Sequence, residues 1–218
     1  MKRIIIGITG ASGVIYGVRL IEILRSLPET ETSLLVTDTA KQILACETDS
    51  RIEDVLALAD HVYEMDDICA PIASGSNLAD GMVIAPCSIK TMSMIAHSHS
   101  ENLLLRAADV TLKEGRKLVL LVRETPLHLG HLRALVQLSE MGAVILPPVP
   151  AFYHRPKTIE DMILATLSKV LDQFSIPHEL VPRWGQVRPP EPSTQVMPHP
   201  KAHRSSRSRP RRGAGFLR

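Results

Sequence analysis

The run Arg3-Ile4-Ile5-Ile6-Gly7-Ile8 is continuously apolar and β-branched, and it passes without a break into Thr9-Gly10-Ala11-Ser12-Gly13 and then an amphipathic stretch from Tyr16 to Leu27. A strand with no polar alternation has to be covered on both faces, which is the condition of a strand in a parallel sheet. The glycines allow a tight turn, and the helix that follows offers unpaired N–H groups and a positive dipole end to an anion. The segment therefore reads as strand, glycine turn, helix.

The same alternation recurs. Ser33 to Val36, Gly81 to Ala85, Lys117 to Val122 and Ala143 to Leu146 read as strands. Thr39 to Cys46, Ile89 to Ala96, a stretch around Leu129 to Glu140 and about Ile159 to Phe174 read as helices. Strands alternating with helices predict an α/β fold of βαβ units whose mostly parallel sheet is covered by helices on both faces. In such sheets ligands sit at the carboxyl ends of the strands, so the segments just after each strand are where chemistry is expected.

Those segments are polar. Gly7-x-x-Gly10-x-x-Gly13 carries Ser12 but is neither GxGxxG nor a Walker loop, and Val14 breaks the GxSxG pattern. A ligand-free tight turn accounts for the glycines as readily as a phosphate cradle does. Thr37-Asp38-Thr39 follows the second strand, and Pro86-Cys87-Ser88-Ile89-Lys90-Thr91 follows the third, with Ser88 and Thr91 placed either to cap a helix or to face a ligand. Arg123-Glu124-Thr125 puts a cation and a carboxylate directly after an apolar strand, suited to an anion and a proton transfer or to a structural ion pair. Glu47-Thr48-Asp49 is a site carboxylate or a helix end. His128 and His131 read as first-turn helix residues, with no third ligand at metal spacing. Pro147 to Tyr153 is too proline-rich for a helix or central strand and reads as a loop with an aromatic tip.

Charge divides the chain. Residues 1–187 carry 17 Lys/Arg against 22 Asp/Glu, while residues 188–218 carry 8 against 1 and are rich in proline. We expect one domain over 1–187 and a disordered basic Pro/Arg-rich tail over 188–218, read as a solvated extension rather than a nucleic-acid arm. Three cysteines, Cys46, Cys69 and Cys87, lack CxxC or zinc spacing and read as free thiols. No apolar run approaches the roughly 20 residues that span a bilayer, and the first strand leads to a turn instead of a cleavage site, so a cytoplasmic protein without membrane partners is expected.

Six motifs in order give the pattern its specificity: Gly10-Ala11-Ser12-Gly13, Ala73-Ser74-Gly75-Ser76, Ala85 to Thr91, Arg106-Ala107-Ala108-Asp109-Val110, Leu121 to Pro126 and Pro147 to Tyr153. Together they resemble the UbiX flavin prenyltransferase family over about residues 1–185, Pro182-Arg183-Trp184-Gly185 included. The resemblance implies a Rossmann-like three-layer sandwich of flavoprotein type with a mostly parallel sheet, assembled as a homo-oligomer, a dodecamer, with FMN and the prenyl donor bound where neighbouring subunits meet. It implies that the dimethylallyl group of dimethylallyl phosphate is joined to N5 and C6 of reduced FMN without a metal, and that the product serves a separate UbiD-type decarboxylase, often in ubiquinone synthesis.

By the same resemblance, Gly10, Ala11, Ser12, Thr37, Ser88, Ile89, Lys90, Thr91 and Arg123 match the FMN contacts, and Ser74, Lys113, Arg123, Glu124, Tyr153 and Lys169 the donor site. Ser12, Glu47 and Glu124 match positions tied to catalysis. Two departures stand out: Gly115, where the family usually has a second basic residue and where a loosened helix end is expected, and the tail after Gly185. An FMN-dependent cysteine decarboxylase of related fold is the rival enzyme, but residues 12–60 hold no histidine and Pro86 to Thr91 is not its Pro-Ala-Ser-Ala-Asn-Thr run. A non-catalytic flavin carrier is the alternative of another class.

Overall fold

A computed structural model describes residues 1–185; the tail expected over 188–218, and the boundary at 187, lie outside the described residues. Six strands form one sheet in the order β3-β2-β1-β4-β5-β6, from β1 (Lys2–Ile8), β2 (Thr30–Val36), β3 (His61–Val62), β4 (Gly81–Cys87), β5 (Lys117–Val122) and β6 (Val144–Ile145). Every pairing is parallel. The predicted Rossmann-like layering is therefore present, and the sheet is parallel throughout.

The apolar runs are buried for the reason the sequence suggests. β1 alternates its isoleucines between two cores: Ile4, Ile6 and Ile8 pack on one face with α1 (Ile15–Arg25) and α7 (Ile159–Gln173). Ile5 packs on the other with α4 (Ile89–Ala96), α5 (Leu103–Lys113) and α6 (Leu129–Glu140). Two faces of one strand each removed from water is what a run without polar alternation requires.

Four elements are absent from the sequence reading: α5, α3 (Ile52–Leu56), β3 and a 3-10 turn over Pro71–Ala73. β3 spans two exposed residues at the sheet edge and has no hydrophobic pattern to announce it. α5 is led by three buried leucines, a run that periodicity cannot separate from a strand. Gly115 differs from expectation as well. It sits at φ +64 just past α5, its N–H bonding the Leu112 carbonyl at 2.9 Å while the Arg116 N–H bonds that of Thr111 at 2.9 Å. A left-handed glycine there closes the helix instead of loosening it.

The strand order reverses direction between β1 and β4. From β1 the chain moves outward to β2 and β3, then returns to the other side for β4, β5 and β6. The loops leaving β1 and β4 consequently run apart and open a crevice between them, the position at which open parallel sheets bind ligands.

Candidate active site

A cleft of about 620 Å³ occupies that crevice, within the range of small-molecule sites. Gly10, Ala11 and Ser12 line it from the turn after β1, Thr37, Asp38 and Thr39 from that after β2, Ser88, Ile89, Lys90 and Thr91 from that after β4, and Arg123 and Glu124 from that after β5. All nine residues matched to FMN contacts thus lie around one opening. Gly10 has a steric reason to be glycine, since a Cβ there would stand 2.5 Å from Thr39 Cγ2 and 2.7 Å from its Cβ.

Thr9 joins the two central turns. Its side chain is buried; the hydroxyl donates to the Pro86 carbonyl at 2.8 Å and accepts from the Ser88 N–H at 2.8 Å, while its own N–H bonds Pro86 O at 3.2 Å. Here the β4/β5 register shifts between Ile84 and Cys87, around a proline with no amide hydrogen for the ladder. The peptide bonds Ala85–Pro86 and Thr125–Pro126 are both cis.

Capping and ligand-facing roles coincide in the same hydroxyls. Thr37 caps α2 (Asp38–Glu47), accepting from the Ala40 N–H at 3.2 Å. Ser88 caps α4, accepting from the Thr91 N–H at 3.2 Å and donating to Thr91 Oγ1 at 3.0 Å. Satisfying the first amides of each helix in this way leaves the capping side chains fixed at the cleft wall.

Glu47, the last residue of α2, does for α1 what α1's own sequence does not. Val14 at that N-cap has no capping side chain, and the Glu47 carboxylate instead accepts from the Gly13 N–H at 2.8 Å and the Val14 N–H at 3.3 Å. Partial burial pushes the Glu47 carboxyl up, but a hydrogen bond from Ser12, the two amides and the charge of Arg123 outweigh it and hold the group below the ordinary carboxylate range. Ser12, Glu47 and Arg123 are therefore coupled. Glu124 faces the same cleft and accepts from the Thr125 N–H at 2.9 Å.

The remaining residues stand elsewhere in the protomer. Ser74 Oγ lies 2.9 Å from Ser76 Oγ, in a loop held by Arg106 to the Ala73 carbonyl at 3.1 Å and by Arg116 to that of Gly75 at 2.7 Å. Lys113 pairs with Glu114, whose carboxylate lies against Gly75. Tyr153 and Lys169 line a second cavity of about 430 Å³ with Asp172, His178, Arg183 and Trp184. Neither Ser74, Lys113, Tyr153 nor Lys169 lines the strand-end cleft of its own chain.

The donor set suits a flavin nucleotide. Glycine-turn backbone and hydroxyls from three helix starts are anion-binding groups, and Met65, Met94, Leu104 and Leu105 give the cleft an apolar wall for a planar ring. Met65, Leu104 and Leu105 had no sequence signal, because they come from segments with no strand-end motif before them, whereas Met94 lies on the helix that the Pro86 to Thr91 motif starts. Among the described residues there is no cluster of three His, Cys, Asp or Glu able to hold a metal. His128 caps α6, its Nδ1 accepting from the Gly130 N–H at 3.0 Å, and His131 stacks on it. Cys87 is buried, which pushes its thiol far up, whereas Cys46 and Cys69 are exposed free thiols.

The Flavoprotein family model matches residues 1–172. The chain is 58% identical over 186 residues to the flavin prenyltransferase UbiX of Escherichia coli K12, covering 84% of this chain and 98% of that one. Its fold superposes on a dodecameric FMN-dependent UbiX-like decarboxylase from Escherichia coli O157:H7 with a TM-score of 0.82 and 45% identity, covering 84% of this chain and 98% of that one. AnUbiX (PadA1) in complex with FMN and dimethylallyl pyrophosphate is similar at a TM-score of 0.82 and 43% identity, over 84% and 97% of the two chains.

Proposed function

The chain belongs to the UbiX flavin prenyltransferase family, and on that footing we propose that its strand-end cleft holds FMN while neighbouring copies bring a prenyl donor against it. The activity is that of a prenyltransferase, joining a dimethylallyl group to reduced FMN. The observation that carries the site assignment is the gathering of nine flavin-matched residues, with Glu124, around one crevice at the strand-order reversal. Bound there, reduced FMN would supply N5 and C6 as the bond-forming positions: the N5 bond would replace the allylic C–O bond of dimethylallyl phosphate, the N5 proton leaving with the phosphate, and the C6 bond to the far alkene carbon would be balanced by the proton lost from C6 and one gained by the central alkene carbon.

The chain's own groups have distinct tasks in this reading. Backbone of Gly10 and Ala11 and the hydroxyls of Thr37, Ser88 and Thr91 bind and orient the flavin. Ser12, donating to Glu47, keeps its oxygen lone pairs for an N–H at the ring edge, with Glu47 fixing the direction of that hydroxyl. Arg123 offsets negative charge on the departing phosphate, and Glu124 moves a proton beside it. Ser74, Lys113, Tyr153 and Lys169 complete the donor site from adjoining subunits, which is why they stand away from the cleft within one chain.

A dodecameric assembly, a cytoplasmic setting, delivery of prenylated FMN to a UbiD-type decarboxylase and a place in ubiquinone synthesis are proposed on the family's behaviour; among the described residues no helix is long and apolar enough to cross a membrane. Residues 1–187 are proposed as the catalytic domain, and the basic tail as dispensable to it.

Anaerobic incubation with reduced FMN and dimethylallyl phosphate, followed by mass and absorbance, tests the activity. An FMN adduct heavier by one prenyl unit is expected. Unchanged FMN would favour a flavin carrier. Glu124→Gln is expected to keep FMN bound while slowing adduct formation, and unaltered turnover would remove Glu124 from the mechanism.

A further inference from the structure

Asp172 stands in the last turn of α7, where a negative charge opposes the helix dipole. Its carboxylate nevertheless gathers three cationic or hydrogen-donating side chains. Arg183 grips it from two nitrogens, Nη2 to Oδ1 at 2.8 Å and Nη1 to Oδ2 at 3.2 Å. His178 Nε2 lies 3.2 Å from Oδ1, and the Lys169 ammonium lies 3.9 Å from Oδ2. The His178 side chain is only 4% exposed, and its Nδ1 accepts from the Leu180 N–H at 3.4 Å, so the ring's proton sits on Nε2 and is given to Asp172. The Arg183 guanidinium, ahead of the His178 bond, holds the Asp172 carboxyl below the usual carboxylate range despite its partial burial.

The segment this carboxylate grips, from Pro177 to Arg183, contains no helix or strand. Its geometry is therefore set by side chains. Next in sequence is Trp184, whose ring meets Tyr153 edge-on at 5.3 Å and 78° although 81% of the residue is exposed. Asp172 thus touches or adjoins each wall of the second cavity: the Lys169 ammonium directly, and the Trp184–Tyr153 edge through Arg183.

We propose that Asp172 is a positioning residue for the prenyl donor, holding the 177–184 segment and the Lys169 ammonium in the arrangement that a neighbouring subunit's cleft receives. This rests on the reading above, in which Lys169 and Tyr153 belong to the donor site. Asp172 itself touches neither flavin nor donor in this scheme. Its effect is on the order of the cavity's walls.

Trp184 is the only tryptophan of the chain, so its fluorescence reports this segment alone. Asp172→Asn, in the full-length FMN-loaded protein, is expected to lower Trp184 anisotropy and to raise the KM for dimethylallyl phosphate about tenfold, the effect of one charge-assisted contact. Its FMN affinity should stay within about twofold, since the flavin cleft is built without this region. Asp172→Glu, which restores the charge, should recover most of the donor affinity. A KM within about twofold of wild type overturns the proposal, as does a raised KM with unchanged anisotropy or an equal loss of FMN affinity and thermal stability. Should the wild-type protein form no prenylated FMN at all, the functional reading has failed first and the donor role falls with it, while the anisotropy of Asp172→Asn alone still decides whether this carboxylate orders the segment.

Discussion

The walls of the strand-end cleft and those of the second cavity are held by different forces. Around the cleft, hydroxyls and a carboxylate satisfy main-chain groups: Thr9 sews two turns together, Thr37 and Ser88 cap helices, and Glu47 caps α1 from another helix. Around the cavity, charged side chains meet on Asp172 and carry an irregular segment with them. Bonds to main chain lock positions that the sheet already fixes, so the cleft exists before any ligand arrives. Charge pairs on a helix end hold a segment that the sheet does not reach, so that region depends on a few long side chains and on whatever a neighbouring copy adds.

Five variants would break this contrast or sharpen it. The largest effect is expected from Arg123→Ala, which removes one of the two cations lining the cleft, the one that steadies Glu47; prenyl transfer should fall about 100-fold, the scale of losing one preorganised charge-stabilising group. Retained turnover would show that the cleft's charge comes from elsewhere.

Next come two substitutions to be read as a crossed pair. Gly10→Ala forces a methyl against Thr39 and should weaken FMN binding about tenfold by titration, with donor KM little changed. Lys169→Ala should raise donor KM about tenfold while FMN titrates as before. If either variant moves both affinities equally, the two regions are one site in energetic terms.

A smaller effect concerns pH. The Glu47 carboxyl lies below its ordinary value in the folded protein, so its bonds add stability above the unfolded carboxylate pKa of about 4.3, and that contribution disappears as pH falls through the lower folded value. Thermal unfolding of Glu47→Gln should accordingly fall a little short of wild type at neutral pH and converge with it in acid; a gap that widens on acidification would contradict the assigned direction. Smallest of all, ending the chain after Gly185 should leave prenyl transfer within about twofold, because 84% of this chain already accounts for 98% of the Escherichia coli K12 relative. A larger loss would give the basic tail a part in the reaction.

The same contrast governs what could be read without coordinates. Ile89–Ala96 and Leu129–Glu140 emerge with the boundaries their periodicity suggests, and the turns that line the cleft were legible because each follows an apolar strand directly. Asn102, Leu104 and Leu105 reach the cleft from α5 and its N-cap, and Met65 from just beyond β3, a two-residue edge strand with no hydrophobic pattern, so no apolar strand legible in the sequence leads to any of them. Asp172 was silent for a related reason. A lone carboxylate near a helix end looks like solvated surface until Arg183 and His178 are seen to close on it. Gly115, taken as a weakness, has a positive φ that only backbone geometry reveals.

Because all six strands run the same way, the two rims of the sheet are unlike: one bears the turns of the cleft, the other the strand starts. Met1, 73% exposed, immediately precedes β1, whose 7 residues separate it from the glycine turn by about 20 Å of extended chain. Within a protomer, an affinity handle or a surface tether fused ahead of Met1 would hang from the far rim, leaving the mouth of the strand-end cleft clear for anchored or immobilised use.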